Sequence, residues 1–366
     1  MALAGTALPG CEPRRWAPRS TAWWRTLLCE LLWKANHGLL LLIWLVWRVY
    51  TKPRPISSLA TAKRRLAVYK RVRWSNGGTT CRVTIQRAGL QLEVEANGQL
   101  IDYLRRNNGS FLAADGTPDA RVLIEAAGEL AAARSPDRLE VSAAPPGFRF
   151  RFFAPEEVVD ICADPETGRY HLRYWRNAGI GNVLWLEFYW HLVQYLALCH
   201  RGKIVTHAAG IRYRGGGLLV LGPGGSGKST LASFFSPCDV LNDDTVILDA
   251  ATGPIQVFGS PYRSKVSRGG RNEAAPARAL LFLHQADRTT IEPLSKAEAF
   301  ACLLRNTFGV NCAAARALYA KHRQWQEREA DLVLVAAREI PSFRLGFDLQ
   351  FPSLRRCLDE ALGSTA

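Results

Sequence analysis

LLVLGPGGSGKSTLASFF, residues 218–235, is the stretch whose reading decides the fold. Leu218 to Leu221 form a short apolar run of the kind that builds a buried strand. The pattern GxxxxGK[ST] follows on Gly222, Gly227, Lys228 and Ser229. Ser229 to Phe235 is helix-compatible, with apolar residues at Leu231, Phe234 and Phe235. Strand, glycine-rich loop and helix in that order are the context that separates a phosphate-binding loop from a chance glycine-rich turn. In such a loop Gly222, Gly224, Gly225, Ser226 and Gly227 let backbone N–H groups converge on phosphate oxygens. Lys228 reaches the β/γ-phosphates, and the hydroxyls of Ser229 and Thr230 lie at the mouth, with Ser229 facing Mg²⁺. The expected ligand is a nucleoside triphosphate, ATP with Mg²⁺.

Two flanking segments narrow the chemistry. Upstream, KIVTHAAG (203–210) is a strand-like apolar run interrupted by His207. Downstream, DVLNDDTVIL (239–248) sets Asp243 and Asp244 inside strand-like sequence, 15 residues beyond Lys228. Adjacent strand residues point to opposite faces, so both carboxylates serve one site only where the strand ends or bulges. Asn-Asp-Asp is also good turn chemistry. Phosphoryl transfer needs one carboxylate for the metal and a group that accepts the proton of the incoming hydroxyl, and this pair is placed to supply both.

The motifs THAAGI (206–211), GPGGSGKST (222–230), LNDDTVIL (241–248), GSPYRSK (259–265) and APARALLFLHQ (275–285) together resemble the HPr serine kinase/phosphorylase family. The likeness is greater to its shorter relatives in peptide-modification and export gene clusters, and it covers about residues 180–350. The resemblance implies a fold like the nucleotide-binding half of phosphoenolpyruvate carboxykinase, a mixed sheet flanked by helices. It also implies transfer of the γ-phosphate of ATP to a Ser/Thr hydroxyl of a peptide or small protein. Carried over by motif, the base falls on Asp243, a metal ligand on Asp244, and a position near the phosphates on His207. The division of roles between the two Asp can run either way. The acidic, glycine-rich second signature of the bifunctional enzymes is replaced here by GSPYRSK and SRGGRN. Phosphorylase activity, and HPr itself as acceptor, are therefore not implied, while Arg263 and Lys265 remain candidate stabilisers of charge on the transferring group.

Other nucleotide-binding classes fit less well. No NKxD tetrapeptide marks a guanine contact, VSRGG (266–270) is a poor transporter signature, and the glycine loop and HRD segment of eukaryotic protein kinases are absent. A small-molecule kinase and a non-catalytic nucleotide sensor or scaffold stay open as alternatives.

The remainder of the chain reads as appendages to this core. Of 366 residues, the first 74 carry fourteen Lys/Arg against Glu12 and Glu30, a net +12 out of the chain's +15. The basic character thus belongs to an N-terminal arm and argues against nucleic-acid binding by the whole protein. That arm holds Trp16, Trp23, Trp24, Trp33, Trp44, Trp47 and Trp74. Its longest apolar run, Leu39 to Trp47, falls short of the about 20 residues a membrane-spanning helix needs. Tryptophan flanked by Arg and Lys suits a membrane interface; a packed helical hairpin is the alternative. Nine dispersed cysteines without a CxxC pair suit reduced thiols in the cytoplasm, with peripheral contact at the inner membrane face through the arm. Cys238 is expected to be core filler, and a homo-oligomer stays open.

The expected organisation is therefore a basic Trp-rich helical arm (1–60), a small α+β accessory domain (61–178) and an α/β catalytic domain (179–366). Within the accessory domain, residues 79–160 read as mainly β, with turns at Asn97-Gly98 and Asn107-Asn108-Gly109 and a helical scrap from Gly128 to Ala133. In the catalytic domain, helices are expected over Gly181 to His200, Ser295 to Phe308 (Ser295 and Glu298 forming a capping box), Ala314 to Ala330 and Ser353 to Leu362.

Overall fold

The computed structural model describes residues 80–114, 116–129, 138–154, 157–176, 183–251, 253–262, 270–348 and 350–363. All of them lie in one compact unit, Pro53–Ala366. The expected N-terminal arm, Arg263 and Lys265 fall outside the described residues. The architecture is mixed α/β, built on two sheets.

The first sheet has seven strands: β1 (Thr80–Arg87), β2 (Leu90–Asn97), β3 (Ala120–Glu129), β4 (Arg138–Ala144), β5 (Gly147–Ala154), β6 (Glu157–Asp164) and β7 (Arg169–Arg176). Their order is β1-β2-β3-β7-β6-β5-β4. β2 shows why the segment folds this way. Leu90, Leu92, Val94 and Ala96 are buried while the residues between them are not, the period-two pattern of a half-buried strand. The outer face carries cross-strand ion pairs, Arg82 to Glu95 at 2.9 Å, Arg121 to Glu93 at 3.2 Å, and Arg149 and Arg173 to the buried Asp160 at 3.0 and 3.1 Å.

Between β2 and β3 stands a helix that the turn signals concealed, α1 (Gly98–Asn108). The Asn97 side chain accepts from the Leu100 N–H at 2.9 Å and caps its first turn, and Gly109 follows its last. Asn-Gly and Asn-Asn-Gly are thus helix ends here. Of the helical scrap expected from Gly128 to Ala133, Gly128 and Glu129 instead continue β3 past a register shift at Ala126/Gly128, and the rest falls outside the described residues.

The second sheet follows α2 (Val183–His200), whose described residues from Tyr189 to Cys199 are buried apart from His191. It comprises β8 (Lys203–Thr206), β9 (Ala208–Tyr213), β10 (Gly216–Leu221), β11 (Val240–Asn242), β12 (Val246–Asp249), β13 (Gln256–Phe258), β14 (Ala274–Gln285), β15 (Thr290–Pro293) and β16 (Ser342–Phe347). The main path runs β11-β9-β10-β14-β13-β12-β8, and β16 lies beside β14 with β15 outside it. β10, β14 and β16 are mutually parallel, whereas β9 is antiparallel to β10. All six residues of β10 are buried, as expected for a strand covered on both faces.

Successive residues of β10 feed opposite layers. Leu219 and Leu221 pack with Ala299, Leu303, Val333 and Ala336 of α4 (Lys296–Arg305) and α7 (Arg323–Glu339). Leu218 and Val220 pack with Leu231, Leu354 and Leu358 of α3 (Lys228–Ser233) and α8 (Phe351–Gly363). The helix expected over 314–330 is two helices, α6 (Ala313–Lys321) and α7, broken at His322 (φ −130°, ψ 79°) and preceded by the short α5 (Phe308–Asn311). The break brings Trp325 edge-on to Phe148 of β5 at 5.5 Å, so both sheets share one apolar cluster with α2. Among the described residues no helix is long and apolar enough to cross a membrane.

Candidate functional site

The glycine-rich loop emerges from the C-terminal end of β10. Gly222 has φ +155°, and a Cβ there would lie 2.8 Å from both the Leu283 carbonyl oxygen and the Ser226 Oγ. Gly225 and Gly227 also take positive φ, +83° and +102°. Only glycine turns the chain so tightly against its neighbouring strand. α3 is shorter than the expected 229–235, six residues, so the loop's own N–H groups, more than a helix dipole, would face an anion bound here. Thr230 lies on this first turn, exposed.

Lys228 is buried and folds back over the loop. Its Nζ donates to the carbonyls of Gly222 at 2.8 Å and Pro223 at 3.2 Å. Burial pushes its pKa down, and the Asp244 carboxylate partly restores it. Ser226 is buried with its hydroxyl unsatisfied, a polar group inside the loop that a phosphate oxygen would satisfy. Gln285, at the end of β14, clamps the loop from the side by donating its Nε2 to the Gly225 carbonyl at 3.2 Å.

The carboxylate pair sits beside this loop. β11 ends at Asn242 and β12 begins at Val246, so Asp243 and Asp244 occupy a turn, and the alternation of a continuous strand no longer divides them. Asn242 makes that turn: its Oδ1 accepts from the N–H groups of Asp244 at 2.8 Å and Thr245 at 2.9 Å. The Ser229 hydroxyl lies 3.4 Å from the Asp243 carbonyl oxygen, which joins loop and turn into one constellation. Asp243 is buried, whereas the Asp244 side chain keeps 37% of its surface exposed.

His207 arrives from the break between β8 and β9, where it interrupts the strand-like run. Its N–H donates to the Asn306 carbonyl at 2.7 Å, and its Nδ1 stands 3.5 Å from Asp244 Oδ1. Burial lowers its pKa and the nearby Lys228 cation lowers it further, against the pull of Asp244. A neutral imidazole at neutral pH follows, available to exchange hydrogen bonds instead of forming a permanent ion pair.

Residues 180–351 match the family model described as SynChlorMet cassette protein ScmC. No curated protein matches the chain. The matched span begins just before α2 and reaches the first residue of α8, so it contains loop, carboxylate turn and His207, and it leaves out the first sheet.

The structure therefore brings Gly222 to Thr230, Asp243, Asp244 and His207 together; Arg263 falls outside the described residues. Sequence reasoning missed Asn242, Gln285 and Asn306. Asn242 stood in plain view as the residue before the acidic pair, but nothing in its neighbourhood distinguished a turn former from a four-bond hub. Cys238 is exposed, not core filler. It precedes β11 in a surface turn, where its carbonyl accepts from Arg212. Among the described residues no group of three or more His, Cys, Asp or Glu side chains could hold a metal alone. The donors present, one hydroxyl and adjacent carboxylates, suit Mg²⁺, which binds proteins through one or two carboxylates and completes its shell with phosphate oxygens and water.

Proposed function

We propose that this chain is an ATP-dependent kinase of the HPr-serine-kinase type, with a phosphoenolpyruvate-carboxykinase-like core, acting on a Ser/Thr hydroxyl of a peptide or small protein. The observation that carries the reading is the approach of the Ser229 hydroxyl to the Asp243 carbonyl, which sets a phosphate loop against a carboxylate pair. The mixed sheet, with antiparallel β9 beside the loop strand, is in keeping with that core.

In this reading the loop N–H groups and Lys228 bind the β- and γ-phosphates, Lys228 exchanging its bonds to Gly222 and Pro223 for phosphate oxygens. Ser229 and Asp244 would hold Mg²⁺, which when bound would neutralise charge developing on the phosphates. Asp243, at the buried end of the turn, accepts the proton of the acceptor hydroxyl. The new bond joins that oxygen to the γ-phosphorus, the bond to the β–γ bridging oxygen breaks, and ADP leaves. His207 orients Asp244 from the open side. Arg263 is the candidate for stabilising charge on the transferring group. The basic arm, residues 1–60, would hold this cytoplasmic enzyme at the inner membrane face.

The test is incubation of the full chain with MgATP and a degenerate Ser/Thr peptide library, read by mass spectrometry. Phosphoserine or phosphothreonine in the peptides supports the reading. ATP turnover that needs a small-molecule alcohol instead would make it a small-molecule kinase, and ATP binding without any turnover would leave a nucleotide sensor or scaffold.

A further inference from the structure

Asn242 is buried at 1% exposure and uses both ends of its amide fully. The Oδ1 accepts from Asp244 and Thr245 as described. The Nδ2 donates to the carbonyls of Ser260 and Tyr262, at 2.8 Å each. Four bonds exhaust what a primary amide can make, and the pattern fixes which end is oxygen, because two N–H groups face one end and two carbonyls the other.

The chain around this amide is held as tightly. The Arg271 N–H donates to the Leu241 carbonyl at 2.9 Å, and the Gly270 N–H to the Ser260 carbonyl at 3.0 Å. The Ser260 hydroxyl donates to the Thr245 carbonyl at 2.5 Å. Three backbone segments thus cross at one point. A Cβ on Gly270 would lie 2.1 Å from the Ser260 oxygen, 2.4 Å from the Leu241 oxygen and 2.8 Å from Asn242 Nδ2.

On the far side, Tyr262 is itself fixed. Its ring meets His191 of α2 edge-on at 4.0 Å and lies 5.5 Å from the guanidinium of the buried Arg87 at the end of β1. The acidic turn is therefore tied through one side chain to a segment braced by both the first sheet and α2.

We infer that Asn242 is a positioning residue: it holds the Asp243–Asp244 turn at the height above the phosphate loop at which the Asp244 carboxylate meets a nucleotide-bound divalent cation. The inference rests on the kinase reading above. Asn242 touches neither phosphate nor metal; it acts through the backbone N–H groups of Asp244 and Thr245. Partners that orient metal-binding groups in this way typically alter metal affinity by about 10–100-fold when removed.

The experiment compares wild type, Asn242→Ala and Asn242→Ser, each as the full chain. Mn²⁺ affinity in the presence of ATP is read by electron paramagnetic resonance, metal-free ATP affinity by calorimetry, and folding by thermal melting. Asn242→Ala should weaken Mn²⁺ binding by about 10–100-fold while metal-free ATP affinity stays within about twofold, the scatter of a neutral change. A serine can still accept from the turn N–H groups but cannot reach Ser260 and Tyr262, so Asn242→Ser should recover part of the loss. Should Asn242→Ala fail to fold, Asn242→Ser decides: intermediate Mn²⁺ affinity upholds the role, and wild-type affinity overturns it. Equal loss of metal-free ATP binding in a folded variant would also overturn it, because the effect would then be general disorder of the loop. A wild-type chain that binds no Mn²⁺ with ATP would overturn the kinase reading itself, and this inference with it.

Discussion

Replacing Lys228 by alanine separates what this residue does for the fold from what it does for a ligand. The ammonium now satisfies two loop carbonyls at 2.8 and 3.2 Å. Removing it leaves the Pro223 carbonyl beside exposed Pro223 and Gly224, where water replaces the bond, and leaves the buried Gly222 carbonyl to a water in the space the side chain vacates. The charge-assisted bonds lost are each about 1.5–3 kcal/mol, but the desolvation of a buried cation is relieved at the same time. A net change in stability of about 1 kcal/mol follows. Nucleotide binding should suffer far more. A cation about 4 Å from phosphate oxygens contributes about 4 kcal/mol at an effective dielectric constant near 20. Part of that is offset because Lys228 must first release its two carbonyls. The remaining loss of about 2–3 kcal/mol corresponds to roughly 30–150-fold in Kd. Titration with a fluorescent ATP analogue and a parallel melting curve measure both quantities. A folded Lys228→Ala chain binding ATP within about twofold of wild type would refute the assignment of this loop to phosphates.

Three further outcomes follow from the same geometry. Asp243→Asn should retain ATP binding while transfer falls by about 10²–10⁴-fold, the scale of general-base loss, whereas Asp244→Asn should raise the Mg²⁺ concentration needed; the reverse pattern in steady-state assays would exchange the two roles. Desolvation of the half-buried His191 ring and the Arg87 charge hold it at about 3, so below about pH 6.5 the unfolded chain gains a proton that the folded one refuses, and stability falls as pH drops toward 3, by up to about 1.4 kcal/mol per pH unit; denaturant titrations of His191→Gln should show a shallower slope, and an unchanged slope would contradict the shift. For the basic arm, full-length protein should float with anionic liposomes at low salt and a chain beginning at Leu59 should not, since each basic residue near such a surface contributes on the order of 1 kcal/mol; flotation of both would assign the contact elsewhere.

How much of this was legible in the sequence depended on whether a segment's neighbours reinforced its local signal. The β10–loop–α3 unit was readable because apolar run, glycines and Lys-Ser have no cheaper joint explanation. The capping box at Ser295 and Glu298 was likewise readable, and α4 begins there, because each side chain accepts from the other residue's backbone N–H. α1 was not readable: Asn97 and Gly109 are turn formers by local chemistry, and only the burial of Leu100, Ile101 and Leu104 between them makes them caps.

The break at His322 was invisible for a different reason. Helical composition runs through it, and what ends α6 is long-range packing. Trp325 must reach Phe148, and Glu329 must reach the hydroxyls of Tyr319 at 2.7 Å, Thr307 at 3.1 Å and Tyr195 at 3.2 Å. That network stands behind His207, since Thr307 bridges Thr206. In the site itself, residue types announced Lys228, Ser229, Asp243 and Asp244. Asn242 and Gln285 act through backbone carbonyls and N–H groups, and side-chain patterns carry no record of those partners.

The central claim, that loop and acidic turn are one phosphoryl-transfer site, is tested most directly by following the label of [γ-³²P]ATP with Mg²⁺, the full chain and the Ser/Thr peptide library. The account predicts acid-stable label on peptide hydroxyls, formed in step with ADP. ATP bound tightly by wild type, with neither labelled peptide nor ADP produced, would contradict it.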